Sequence, residues 1–84
     1  MSPVVFRHRG YRFQFYANEG IPREPIHIHI VKDGIDAKFW LWPEVSVAYN
    51  DGFDQRIIRQ MIPIIEAQRG TIERVWNDFF GEAD

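Results

Sequence analysis

The sequence predicts an α+β domain: a four- or five-stranded antiparallel sheet, one face covered by a single long C-terminal helix that is kinked at a proline. Three patterns point to it. Apolar side chains alternate with polar ones over 11–16 and 25–31, the period of a strand. Asp33-Gly34, a strong signal for a two-residue hairpin turn, lies between two runs that match each other residue for residue. Downstream, apolar residues recur every three or four positions from Ile57 to Phe79, the period of a helix.

The first hairpin joins Val4–His8 to Tyr11–Tyr16 through Arg9-Gly10, where glycine permits the positive φ of a tight turn. Tyr11, Phe13 and Phe15 make the core face of its second strand, and Arg12, Gln14 and Tyr16 the opposite one. Residues 17–24, with Asn18, Gly20 and Pro22, have no period of their own and read as a crossover loop.

The next strand carries Ile26, His27, Ile28, His29, Ile30 and Val31. The isoleucines go to one face and the two imidazoles, side by side, to the other. If Asp33-Gly34 closes a type I′ turn, Lys32 pairs with Ile35, Ile30 faces Ala37, Ile28 faces Phe39 and Ile26 faces Leu41. All three of the latter pairs are apolar, as a core face requires. The same register sets His29 opposite Lys38 and His27 opposite Trp40, on a face expected to look towards water. Pro43 ends or bends this strand, and Val45–Tyr49 reads as a fifth, at a sheet edge.

Asp54 suits a helix N-cap. From there Ile57, Met61, Ile65, Gln68, Ile72, Trp76 and Phe79 form an amphipathic stripe with one polar member. Pro63 removes a helical hydrogen bond and Gly70 weakens the interior, but the stripe keeps its register across both, which favours one helix bent near Pro63. Gly81 suits the stop. A helix of about 26 residues would run roughly 39 Å, against about 20 Å for a six-residue strand. It should therefore overhang the sheet and project Trp76, Phe79 and Phe80 towards a small protein partner or a second copy.

Composition narrows the function classes. The 84 residues make one domain, spanning 1–84, of a size where burial only just offsets chain entropy. Hydrophobic residues at 45% and aromatics at 15% suffice for a compact core. There is no cysteine, so thiol chemistry and disulfides are excluded. No apolar run approaches the roughly 20 residues that span a bilayer, and Met1-Ser2-Pro3 opens no signal-type segment, so an intracellular, cytoplasmic location without membrane contact is expected. The net charge of −2 argues against a general nucleic-acid coat. Yet Arg7, Arg9, Arg12 and Arg23 are offset by Glu19 alone in the first 23 residues, leaving room for a local basic patch.

Glycine-rich phosphate loops, nucleophile elbows and His-Glu-x-x-His helices are missing. Asp33 and Asp36 flank a turn and read as turn chemistry. The candidate surface is therefore the non-core sheet face, with Arg7, Arg12, Gln14, Tyr16, His27, His29, Lys38 and Trp40. Cations there suit phosphate and rings suit unstacked bases, so RNA or phosphate is one class of ligand and a protein another. Three functions stay open. One is a binding module. Another is a metal-independent ribonuclease in which His27 or His29 moves protons while Lys38 stabilises phosphate charge. The third is metal binding through His27-x-His29, which needs a third ligand from His8, Glu19, Glu24 or Glu44 and suffers from Lys38 beside His29. No cofactor is expected. Beside all three stands ordinary sheet packing, with Trp40 against His27 as a cross-strand pair.

Tyr11–Asn18, Pro25–His29, Ala37–Trp40, Gly52-Phe53 and Trp76–Phe80 together resemble a small bacterial family, domain-of-unknown-function family 4160. The resemblance covers nearly the whole chain, with departures at Pro63 and Gly70. It implies a cytoplasmic domain often encoded beside a second small uncharacterised domain, in an arrangement like toxin–antitoxin pairs. It supplies no catalytic residue.

Overall fold

The structure, a computed structural model, describes residues 3–17 and 24–81. Five strands, β1 (Val4–His8), β2 (Tyr11–Gln14), β3 (His27–Lys32), β4 (Ile35–Trp40) and β5 (Ser46–Asn50), precede two helices, α1 (Gln55–Ala67) and α2 (Arg69–Phe80). The strands form one antiparallel sheet in the order β1-β2-β3-β4-β5, each paired with its neighbour in sequence. Much of the crossover loop, including Glu19 and Arg23, lies outside the described residues.

The turn chemistry fixes this order. Asp33 and Gly34 take φ of 53° and 79°, the pair of positive values that a type I′ turn demands, and Arg9 and Gly10 do the same at 52° and 85°. The β3–β4 register is as the sequence predicts: Lys32 faces Ile35, Ile30 faces Ala37, His29 faces Lys38, Ile28 faces Phe39 and His27 faces Trp40. Beyond the strand end, the Leu41 amide donates to the Ile26 carbonyl at 3.3 Å and extends the pairing by one step. Bulges interrupt both outer pairings, between Val4 and Phe6 in β1 and between Lys38 and Phe39 in β4 against β5. β5 is an edge strand, one residue later than the sequence suggested.

On the helical side, Phe13, Phe15, Ile28, Ile30, Ala37, Phe39 and Leu41 are buried against Ile58, Met61, Ile65, Ile72 and Trp76. Apart from Ala37, each such side chain contributes about 1.5–3 kcal/mol by leaving water. Asp54 caps α1 as expected, its Oδ1 accepting from the Arg56 amide at 2.7 Å.

The single long helix is corrected to two. Pro63 lies inside α1, on its exposed side, and the break falls at Gln68, where φ is −104° and ψ 10°. There the Gln68 amide is shared between the carbonyls of Ile64 and Ile65, both at 3.1 Å, a tightened last turn. Gln68 is the one polar member of the stripe and is exposed, so interrupting the helix there loses no apolar contact, while Gly70 just beyond offers α2 little helical bias. Trp76, expected to project, is 3% exposed within the core, Phe80 packs partly against the same cluster, and only Phe79 of the three keeps 38% of its surface open.

Candidate functional site

The polar face of the sheet is set by strand alternation. Arg12 and Gln14 from β2, His27, His29 and Val31 from β3, and Asp36, Lys38 and Trp40 from β4 all point away from the face that the helices cover, as pairing of Arg12 with Val31, Gln14 with His29 and Val31 with Asp36 requires. Arg7 joins them opposite Arg12, and Tyr49 joins them opposite Lys38.

The histidines do not face water, as the sequence suggested they would. His27 is 0% and His29 1% exposed. His29 is covered by Tyr16, whose ring lies 4.3 Å away, and flanked by Tyr49 at 6.0 Å. Its Nδ1 is 3.0 Å from Asp36 Oδ1 and 3.3 Å from the Tyr49 hydroxyl. Since an ionised carboxylate only accepts, Nδ1 carries the proton and donates. Both tyrosines in turn donate to the other carboxylate oxygen, Tyr16 at 3.2 Å and Tyr49 at 2.9 Å. Asp36 thus gathers three donors, and its role is the anchor of the face, beyond any part in the turn.

His27 sits at the end of the sheet where β2 stops and β3 starts. Its Nδ1 donates to the Pro25 carbonyl at 2.8 Å, and its ring meets Trp40 edge-on at 5.6 Å and Trp76 of α2 at 4.9 Å. Trp76 also meets Phe15 edge-on at 5.0 Å, so one indole seals the sheet end from both sides. The two imidazoles are themselves perpendicular, 5.2 Å apart.

Lys38 turns from His29 to Glu24, whose Oε1 is 2.6 Å from its Nζ, and lies 4.6 Å over the Trp40 ring. Of the third metal ligands considered, His8 lies on the opposite face in register with Tyr11, Glu44 is exposed in the β4–β5 connection, and Glu19 lies outside the described residues. Glu24 alone is near, 3.8 Å from His27 Nδ1, and its carboxylate already holds Lys38. Among the described residues no three His, Asp or Glu side chains converge as a metal-holding set, and no cavity opens onto the rings.

The structure therefore brings together Tyr16, His27, His29, Lys38 and Trp40 of the candidate residues, and sets Arg7 and Arg12 as a separate cross-strand pair at the neighbouring row. Asp36, Tyr49 and Glu24 are the members that sequence reasoning underrated. The signal for Asp36 was present: it shares the period-two face of Lys38 and Trp40. Tyr49 carried less signal, because the β5 bulge changes which face its side chain takes.

Tyr49 also reports on the network. Burial of its phenol, followed by its hydrogen bond to the Asp36 carboxylate, raises its pKa well above the ordinary tyrosine value. A raised folded-state value adds stability that is complete below about pH 10, the unfolded phenol's pKa, and that disappears as pH climbs through the folded-state value. Wild-type protein is expected to lose denaturant resistance above that pH more steeply than Tyr49→Phe. Equal slopes for the two proteins in urea titrations across the alkaline range would contradict the assignment.

Fold and site together define a small α+β domain of open antiparallel meander type, with helices on one sheet face and a closed histidine–aspartate–tyrosine network on the other. The chain belongs to the family described as domain of unknown function (DUF4160), whose model matches residues 10–77. That span takes in the whole network and Arg12, and leaves Arg7 outside. Neither the curated proteins nor the solved structures give a match to this chain. No helix among the described residues is long and apolar enough to cross a membrane.

Proposed function

We propose that this chain is a binding module that works as one half of a two-protein, toxin–antitoxin-like pair in the bacterial cytoplasm, and that the polar sheet face is its contact surface. One observation carries the reading: both imidazoles of that face are buried and His29 is tied to Asp36 and Tyr49, while Trp40 remains partly open and Tyr49 and Arg7 are exposed. A ring-lined surface on which, among the described residues, no cavity opens favours docking over turnover. Ribonuclease action or metal binding through His27 and His29 would need ring nitrogens within reach of a ligand, and burial of both rings weighs against either. Phe79, at the end of α2, offers a further half-open ring to a partner.

Co-expression with a neighbouring small gene product of the kind the proposed pairing requires provides the test. A stable complex is expected, weakened at least about tenfold by Trp40→Ala or Tyr49→Ala, the loss expected of one well-packed interface ring. A complex indifferent to both substitutions, or RNA cleavage that disappears in His29→Ala while the fold persists, would reverse the reading.

A further inference from the structure

The β1–β2 hairpin sets a pair of like charges side by side. Arg7 and Arg12 are direct cross-strand partners on the polar face, so their Cβ atoms stand about 5 Å apart. Like charges placed opposite each other destabilise a sheet. Here the residue beyond Arg12 is Val31, and the Asp36 carboxylate that follows is already taken by His29, Tyr16 and Tyr49. Among the described residues neither arginine forms an ion pair. Arg7 is exposed. Arg12 is half-buried, and its Nε donates to Gln14 Oε1 at 3.3 Å. Gln14 is only 6% exposed, so that bond holds the guanidinium by its inner edge and leaves the terminal nitrogens for an outer ligand.

From this geometry we infer that Arg7 and Arg12 form an oxyanion site, and that its ligand is a phosphate group. Two guanidinium forks side by side match the spread oxygens of phosphate, and each fork donates two parallel bonds. The phosphate comes either from a single-stranded RNA backbone or from a free phosphorylated small molecule. The site lies at one end of the face assigned above to the protein partner and uses neither Trp40 nor Tyr49, whose loss tests that reading, so the two can fail separately.

Backbone and arginine Nε–H resonances of the full chain, followed by NMR during titration with inorganic phosphate and separately with a short single-stranded RNA, decide the matter. Saturable shifts at Arg7, Arg12 and Gln14 are expected, weakening as salt is raised. Arg12→Gln should weaken binding about tenfold, the effect of losing one charge-assisted contact, and Arg12→Lys should recover only part of it because the fork is lost. RNA binding much tighter than phosphate, with the excess lost in R7Q, identifies the backbone as source. Equal affinities identify a free phosphate compound. No saturable shift with either probe, or shifts unchanged in an Arg7→Gln, Arg12→Gln double variant, overturns the inference. So does an unfolding midpoint that drops in R7Q without phosphate, since that would mark the pair as structural. The inference expects the midpoint to hold or rise once the repulsion is relieved.

Discussion

Replacing Trp76 with alanine is expected to cost about 3–5 kcal/mol of folding stability, the range for removing a large buried ring. A chain of this length has roughly 4–12 kcal/mol in all, so the variant should sit near the edge of unfolding at ambient temperature. The size follows from what the indole touches: Phe15 at 5.0 Å, His27 at 4.9 Å and Phe80 at 4.4 Å, with 3% of its surface left open. Urea unfolding of the wild type, Trp76→Ala and Trp76→Phe measures it. Trp76→Phe keeps a ring against Phe15 and should lose less than half as much. A Trp76→Ala protein as stable as wild type would mean that α2 does not close the sheet end and that the indole is free for a partner, as the length of an unbroken helix had suggested.

Asp36→Ala carries the second large effect, about 2–3 kcal/mol. The carboxylate accepts from His29, Tyr16 and Tyr49, and a buried donor left without an acceptor costs roughly 1–3 kcal/mol. His29 is fully enclosed and would bear most of that cost. The tyrosine hydroxyls would recover part of theirs from water, since Tyr49 is 37% exposed. Asp36→Asn should fall between, because one carbonyl oxygen survives while its amide opposes the donors. Denaturant unfolding gives the ranking Asp36→Ala, Asp36→Asn, wild type in order of rising stability. A neutral result for alanine would show that the histidine is held by packing alone and would remove Asp36 from the centre of the face.

The histidines show where reading along the chain stops. Their side-by-side placement was legible, because a strand puts residues two apart on one face and the Asp33-Gly34 turn fixed their partners as Lys38 and Trp40. Their burial was not legible. The residues that cover them come from three other elements, Tyr16 after β2, Tyr49 in β5 and Trp76 in α2. Lys38 posed the same problem: the register set it beside His29, and only the folded chain reveals that Glu24 draws it away. Arg69 and Glu73, four residues apart on α2, meet at Trp42, the guanidinium 4.5 Å from the ring centre and the carboxylate accepting from Nε1 at 3.1 Å, a contact no local window contains.

What the residues determined unaided is local in its physics: strand period, turn φ, cross-strand register and the apolar stripe all depend on neighbours within a few positions or across one hairpin. What the tertiary structure decided depends on distance in sequence. The helix is interrupted at Gln68 while Pro63 stays within α1, and Ile72 and Trp76 beyond the interruption are buried against the sheet; no window along the chain contains both the helical pattern and the strands that bury it. The same reason gave Asp36 its role. A carboxylate two residues past a turn becomes the anchor of a sheet face only when three donors from separate strands and loops close upon it.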